Sequence, residues 1–186
     1  MTPADLLVCV KRAAALLRGK APAPRVALVL GSGLAGSIPE LTDRVEVPYA
    51  DIPGFPKATV VGHSGKLLFG TYRGRRGSLP AAIMQGRFHF YEGHSMGQIT
   101  LPVRVLAALG VKTLVLTSAV GSIRRTLRPG SVCVLSDHIN YLGHNPLRGC
   151  HTPDFGEMFP DMGRAYTPAL RRLALAECRR LKIPAR

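Results

Sequence analysis

The sequence predicts a three-layer α/β protein, in which a mixed, mostly parallel central sheet is flanked by helices. Short apolar runs that end in glycine or polar residues are typical of strands, and segments with apolar residues at helical spacing lie before, between and after them. Two of the runs, VALVL and TLVLT, are aliphatic throughout, which favours strands buried on both faces of a largely parallel sheet.

The first predicted helix begins close to the amino terminus. Thr2 is placed as its N-cap, Pro3 as its first residue and Asp5 in its first turn. One face then carries apolar residues: Leu6, Val10, Ala13 or Ala14, and Leu17. An amphipathic segment with arginines also fits a mitochondrial presequence, but the capping residues favour a helix of the folded protein.

The remaining elements alternate between strand and helix. Strands are predicted at residues 26–30, 66–72, 81–85, 113–117 and 132–137. A helix over residues 99–110 has Leu101, Val105, Ala108 and Leu109 on one face and ends at Gly110. A last amphipathic helix begins at Pro168 and carries Leu170, Leu173 or Ala174, Cys178 and Leu181. No linker divides the chain, so residues 1–186 are predicted to form one domain.

Composition narrows the choice of partners and compartment. The chain has 186 residues and a formal net charge of +14, but its positive residues are dispersed, aromatic residues make up 6% and tryptophan is absent, so we expect no nucleic-acid partner. No apolar run approaches the roughly 18 residues that cross a bilayer, which predicts a soluble protein without a membrane partner. The four cysteines lack C-x-x-C spacing and favour a reducing, cytoplasmic location.

Residues 29–36, VLGSGLAG, contain the G-x-G-x-x-G pattern of a dinucleotide-binding turn. Such a site needs an acidic residue about 20 residues further on, and Asp51 has this spacing. Asp51 lies in a turn rich in proline and glycine, however, and Pro39 interrupts the helix that should follow the glycines. A nicotinamide or flavin site is therefore disfavoured.

Residues 93–97, GHSMG, match the nucleophile elbow of serine hydrolases, with Ser95 as the nucleophile. An acid and a histidine follow in the required order, for instance Asp137 and then His144 or His151. The elbow must follow a buried strand, whereas the preceding RFHFYE is polar at alternate positions. The hydrolase hypothesis stays open at this point.

Four further motifs combine small residues with anion-binding side chains: GSG, GHSG, QGRFHFYEGH and TSAVGS. Arg87 and His89 alternate, so on an extended segment they face the same side. Ser32, His63 and the backbone amides after the strands can converge with them on one tetrahedral anion. The six histidines lack metal-ligand spacing, so no metal site is predicted.

Together these motifs resemble purine nucleoside phosphorylase of the trimeric class that acts on inosine and guanosine. LGSGLAG, DIPGFP, TVVGHSGKL, MQGRFHFYEGHSM, PVRVLAALGV, SDHIN, NPLRG and FPDMGRAY stand in the family's order. The resemblance implies phosphorolysis of a purine nucleoside to the free base and ribose 1-phosphate. Inorganic phosphate is then a co-substrate, and no cofactor is needed.

The resemblance also implies roles for individual residues. Phosphate would be bound by Ser32, His63, Arg87, His89 and the backbone N–H of Ala119, with His89 as the candidate catalytic residue. The nucleoside would be bound by Tyr91 at the ribose, by Ala119, Val120 and Gly121 at the base, and by Phe159 of a neighbouring subunit in a homotrimer.

The chain departs from the family pattern in three places. Ser118, Val120 and Ser122 replace family residues in the base-binding loop, and RGRRGSLPAA is longer than its counterpart, which predicts an enlarged hairpin turn. The family pattern also continues beyond Arg186, with the residues that hold the purine. We therefore expect a domain incomplete at its carboxyl end, and a relative that only binds phosphate is an alternative to an active enzyme.

Overall fold

The fold is built on a five-stranded mixed sheet. A computed structural model describes residues 1–31, 33–34, 36–56, 65–75, 77–150, 153–157 and 159–186. The residues fall into two units, Met1–Ala119 and Val120–Arg186, which are described separately. The prediction of a single domain stays a prediction.

The first unit contains the sheet and two helices. Its elements are α1 (Pro3–Arg18), β1 (Val26–Leu30), β2 (Leu41–Pro48), β3 (Lys66–Gly74), β4 (Gly77–Gln85), α2 (Met96–Ala108) and β5 (Thr113–Leu116), with 3₁₀ turns at Tyr49–Asp51 and Phe90–Glu92. The strand order is β2-β3-β4-β1-β5. β1 pairs in parallel with β4 and β5, while β3 is antiparallel to β2 and β4, so β3 runs against the other four described strands.

The core lies where β3 and β4 cross the middle of the sheet. Consecutive residues are buried in both strands, at 67–69 and 81–84. Because neighbouring residues of a strand point to opposite faces, both faces of the sheet are covered there. α1 packs against α2, and Arg18 Nη2 donates to the Ala108 carbonyl at 2.6 Å. The predicted α/β class with a mixed, mostly parallel sheet is confirmed.

Helix α1 forms as its capping residues predict. Thr2 Oγ1 accepts from the Asp5 N–H at 3.2 Å, and the Asp5 carboxylate accepts from the Thr2 N–H at 3.0 Å, which completes a capping box. This hydrogen bonding with Thr2 lowers the pKa of Asp5. The buried face consists of Leu6, Val10, Ala13, Ala14 and Leu17.

Strand β5 corrects one expectation. Its aliphatic sequence predicted burial on both faces, but Leu116 is 64% exposed and Val115 is exposed too. β5 is an edge strand whose described sheet neighbour is β1. An unbroken aliphatic run indicates a strand, but it does not decide between the centre and the edge of a sheet.

Strand β2 and the β3–β4 hairpin differ from the sequence prediction as well. β2 was not predicted, because Asp43, Arg44 and Glu46 interrupt its apolar pattern; its pairing with β3 shifts register after Thr42. The predicted enlarged turn is wrong, since the β3–β4 ladder continues to the Gly74–Gly77 pair.

The second unit has one described helix, α3 (Pro168–Arg180), which begins where predicted. Its predicted apolar face is exposed at Leu170 and Leu173. The predicted strand at 132–137 is wrong: none of the described strands pairs with this segment, and its backbone forms an isolated parallel bridge between Val132 and Ala185. Across the described chain, no helix has the length and apolar character to span a membrane.

Candidate anion-binding site

The carboxyl ends of β1, β4 and β5 meet at one edge of the sheet. β1 and β4 end in register at Leu30 and Gln85, and Val29 of β1 pairs with Leu116 of β5. The parallel pairing therefore brings together residues 31, 86–87 and 117. Ligands of open α/β sheets bind at such an edge.

Gly31 follows β1 and is closely surrounded. Its N–H donates to Thr117 Oγ1 at 2.9 Å. A Cβ at this position would lie 2.5 Å from the Thr117 carbonyl oxygen and 3.1 Å from Arg87 Nη1, so only glycine fits without movement of the backbone. Gly33 has a φ of 85°, whereas a Cβ on Gly36 would meet nothing within 4 Å. The third glycine of the pattern thus has no steric role.

This loop is not a dinucleotide-binding turn. Described turns at Leu34 and Ser37 follow Gly31, and the next regular element is β2 rather than a helix. β3 and β4 separate β2 from β1, so Asp51 does not follow a strand adjacent to the glycines, as a ribose-binding acid must. The sequence disfavoured a nicotinamide site, and the strand order agrees with that interpretation.

Arg87 and His89 lie on an extended segment after β4 and contact each other. Arg87 Nε donates to His89 Nε2 at 3.1 Å, and Arg87 Nη1 donates to the Thr117 carbonyl at 2.7 Å. His89 Nδ1 lies 2.6 Å from Glu92 Oε1, which also accepts from the His89 N–H at 2.8 Å. The two side chains share one side of the segment, as their alternation predicted.

The network assigns the His89 tautomer. A guanidinium Nε–H can only donate, so His89 Nε2 accepts and the proton sits on Nδ1, where it donates to Glu92. The Glu92 side chain is nearly buried, and its other oxygen lies 3.7 Å from His94 Nε2. Glu92 thereby orients the imidazole ring through the hydrogen bond at Nδ1, and it also holds the His89 backbone through the bond from the N–H.

Tyr91 lies beside this network. Its ring stacks on His89 with centroids 4.7 Å apart and planes inclined by 19°. Its side chain is 76% exposed, so the ring borders the site from the solvent side.

Aromatic side chains pack beside the segment that carries Arg87 and His89 and hold its backbone. The Tyr49 hydroxyl donates to the Gly86 carbonyl at 2.8 Å, and the Tyr49 N–H donates to the Gly65 carbonyl at 2.8 Å. Tyr49 also packs on Phe55 and Phe88. Its burial raises the pKa of the phenol, which stays a neutral donor.

The other predicted site residues are less defined. Ser32 and His63 lie outside the described residues. Ala119 is exposed at the end of the first unit, while Val120, Gly121 and Phe159 are exposed in the second. The described structure thus brings together Arg87, His89 and the Gly31 loop. No three metal-ligating residues cluster within the described ranges.

The sequence predicted no individual role for Thr117, Glu92 or Tyr49, although Thr117 and Glu92 stand within the TSAVGS and QGRFHFYEGH motifs. Glu92 had a local signal, because it stands three residues after His89 in a turn. Thr117 and Tyr49 had no local signal of this kind. Thr117 reaches the site through sheet pairing, and Tyr49 reaches it through a contact with Gly86, which is 37 residues away.

The nucleophile-elbow hypothesis for Ser95 is wrong. Ser95 is the N-cap of α2, and its Oγ accepts from the Gln98 N–H at 3.3 Å while Gln98 Oε1 accepts from the Ser95 N–H. The element before it is the turn Phe90–Glu92, not a strand. GHSMG is a helix-capping sequence with unstrained backbone at Ser95, where φ is −69°.

The geometry agrees with comparisons to known proteins. The family model described as Phosphorylase superfamily matches residues 25–186. The chain belongs to the phosphorylase superfamily. Purine nucleoside phosphorylase 1 of Bacillus subtilis is 46% identical over 94% of this chain, which spans 64% of that relative's length.

Solved structures agree in fold with this member of the superfamily. A Schistosoma mansoni purine nucleoside phosphorylase in complex with inosine is 37% identical, with a TM-score of 0.84 over 94% of this chain and 61% of that one. Isoform 2 from the same organism, in complex with cytosine and ribose-1-phosphate, is 38% identical with a TM-score of 0.84, over 93% of this chain and 61% of that one. The resemblance to purine nucleoside phosphorylases is confirmed in sequence and fold.

Proposed function

We propose that the protein is a glycosyltransferase that cleaves purine ribonucleosides and 2′-deoxyribonucleosides, such as inosine and guanosine, with inorganic phosphate. The observation that carries the proposal is the Arg87–His89–Glu92 network beside the Gly31 loop, at the carboxyl ends of parallel strands. A cation, an oriented imidazole and a glycine-lined backbone are the groups that a small oxyanion requires.

The proposed reaction is a substitution at the ribose anomeric carbon. A phosphate oxygen forms a bond to that carbon while the bond to the purine nitrogen breaks. The bonding pair leaves with the base, which takes up one proton while the phosphate gives up one, and the products are free purine and (deoxy)ribose 1-phosphate. The protein accelerates this step by holding the anion next to the developing positive charge of the sugar. No cofactor takes part in the proposed reaction.

Arg87 is the principal charge in the proposed phosphate site. Its guanidinium is planar and permanently protonated, and His89 and the Thr117 carbonyl hold two of its nitrogens. Ser32, His63 and the Ala119 N–H are the further proposed donors. His89 is the proposed catalytic residue, because its ring lies against the Arg87 guanidinium and Glu92 maintains its orientation.

The nucleoside half of the proposal uses exposed groups. Tyr91 would contact the ribose, which its position against His89 supports. Ala119, Val120 and Gly121 would line the base, and Phe159, with 84% of its surface exposed, would complete the site of a neighbouring subunit in a homotrimer. A cytoplasmic role in purine salvage is part of the proposal, and the four free cysteines support a reducing compartment.

Phosphate-dependent release of hypoxanthine from inosine tests the function. We expect turnover that requires phosphate, and calorimetric binding of phosphate by the protein alone. Well-folded protein that binds phosphate without turnover would support the phosphate-binding alternative. Protein that does neither would contradict the proposal.

Arg87→Ala tests the site. Because hydrogen bonds to charged groups contribute about 1.5–3 kcal/mol, we expect phosphate affinity to fall roughly 10- to 100-fold. Arg73→Ala is the matched control, since Arg73 is exposed in the β3–β4 hairpin. Phosphate affinity unchanged by Arg87→Ala would show that the site lies elsewhere.

A further inference from the structure

We propose that Thr117, immediately after β5, is a positioning residue that holds the Gly31 loop and Arg87 in one arrangement for phosphate. The inference rests on the proposed function, because the loop and Arg87 are the phosphate-binding groups of that proposal. Thr117 itself need not touch the anion.

The Thr117 hydroxyl connects two strand ends. It accepts from the Gly31 N–H at 2.9 Å and donates to the Val29 carbonyl at 3.0 Å. The Thr117 N–H also donates to the Val29 carbonyl, at 3.0 Å. These bonds continue the β1–β5 pairing one residue beyond the strands, and they set the direction in which the chain leaves β1.

The Thr117 carbonyl orients Arg87. It accepts from Arg87 Nη1 at 2.7 Å, while His89 Nε2 accepts from Arg87 Nε at 3.1 Å. Because a guanidinium is rigid and planar, two anchored nitrogens fix its plane and hence the direction of its other N–H bonds. One residue thus holds the loop through its side chain and the cation through its backbone.

The packing around Gly31 leaves no room for a side chain. A Cβ on Gly31 would lie 2.5 Å from the Thr117 carbonyl oxygen, 2.9 Å from Ser118 Cα and 3.1 Å from Arg87 Nη1. Gly31 therefore lies close against both the carbonyl that holds Arg87 and the guanidinium itself. The hydroxyl of Thr117 thus affects phosphate binding through both groups.

Thr117→Val removes the hydroxyl and keeps the shape of the side chain. In the full chain, we expect calorimetric affinity for inorganic phosphate to fall about 10-fold, because the Gly31 N–H loses its acceptor and the loop shifts. The KM for phosphate should rise by the same factor, while the KM for inosine changes less than about 2-fold.

Two controls separate positioning from a general structural role. Thr117→Ser keeps the hydroxyl and should restore phosphate affinity to within about 2-fold of wild type. Thr113→Val makes the same exchange at the opposite end of β5 and should leave phosphate affinity at the wild-type value. If Thr117→Val does not fold, Thr117→Ser and Thr117→Ala carry the same comparison.

The outcomes distinguish this inference from the proposed function. Wild-type protein that neither binds phosphate nor turns over inosine overturns both. Wild-type protein that binds phosphate, with Thr117→Val equal to it, overturns only the positioning role. A loss shared equally between phosphate and inosine indicates a general structural effect and also overturns it.

Discussion

Arg87 is the residue at which the described contacts of the site meet. Its neighbours come from three parts of the chain: the Gly31 loop, His89 on its own segment and Thr117 after β5. The segment that carries Arg87 depends in turn on Tyr49, whose buried hydroxyl donates to the Gly86 carbonyl at 2.8 Å. The position of the charge is therefore set by residues that carry no charge.

Tyr49 gives a pH-dependent prediction at this scale. Burial raises the pKa of its phenol above the ordinary value of 10.0, so in alkali the unfolded chain releases a proton that the folded chain retains. The stabilisation by Tyr49 is thus fully present below pH 10.0 and is lost as the pH rises further, by up to about 1.4 kcal/mol per pH unit. The free energy of unfolding in urea, measured at about pH 9 and about pH 11, should fall more in wild type than in Tyr49→Phe. Equal losses in the two proteins would contradict this assignment.

Helix α2 shows how one motif supports two different interpretations. The pattern GHSMG fits a hydrolase elbow, but Ser95 and Gln98 instead form a capping box, and the preceding element is a 3₁₀ turn. The apolar spacing predicted a helix in this region, and Leu101 and Val105 are buried as predicted. The hydrolase interpretation fails because the element directly before Ser95 is not the strand that an elbow requires.

Ser95→Ala tests the capping role. We expect the free energy of unfolding to fall by about 1 kcal/mol, because the Gln98 N–H loses its acceptor. Ser95→Asp, which retains an acceptor at the N-cap, should recover most of that loss. Urea denaturation measures both variants. An esterase activity of wild type that Ser95→Ala abolishes would contradict the capping interpretation and restore the hydrolase.

The position of an apolar residue in the sheet determines how much it contributes to the free energy of unfolding. Leu68 of β3 is 0% exposed at the centre, whereas Leu116 of β5 is 64% exposed at the edge. Both stand in apolar runs, but Leu68 lies on an inner strand and Leu116 lies at the end of an edge strand.

Paired substitutions measure this difference. Leu68→Ala should lower the free energy of unfolding by about 2–5 kcal/mol, because it opens a cavity in the core. Leu116→Ala should cost less than about 1 kcal/mol, since most of its surface is already in water. Chemical denaturation of both variants gives the comparison, and equal losses would show that β5 is buried in solution.

Local chemistry determined the elements that the sequence predicted correctly. α1 follows from Thr2, Pro3 and Asp5, and the alternation of Arg87 and His89 placed both side chains on one side of their segment. These features depend on spacing within a few residues, which the sequence contains in full.

Strand order and long-range contacts were decided by the tertiary structure. β2 could not be predicted, because its charged residues fit an edge strand that gains its ladder only from β3. Thr117 gained its role because parallel pairing brought the ends of β1 and β5 together, 86 residues apart between Gly31 and Thr117. The sequence by itself determined which residues can bind an anion, and the sheet decided which of them meet, since hydrogen-bonded register between distant strands has no local signal.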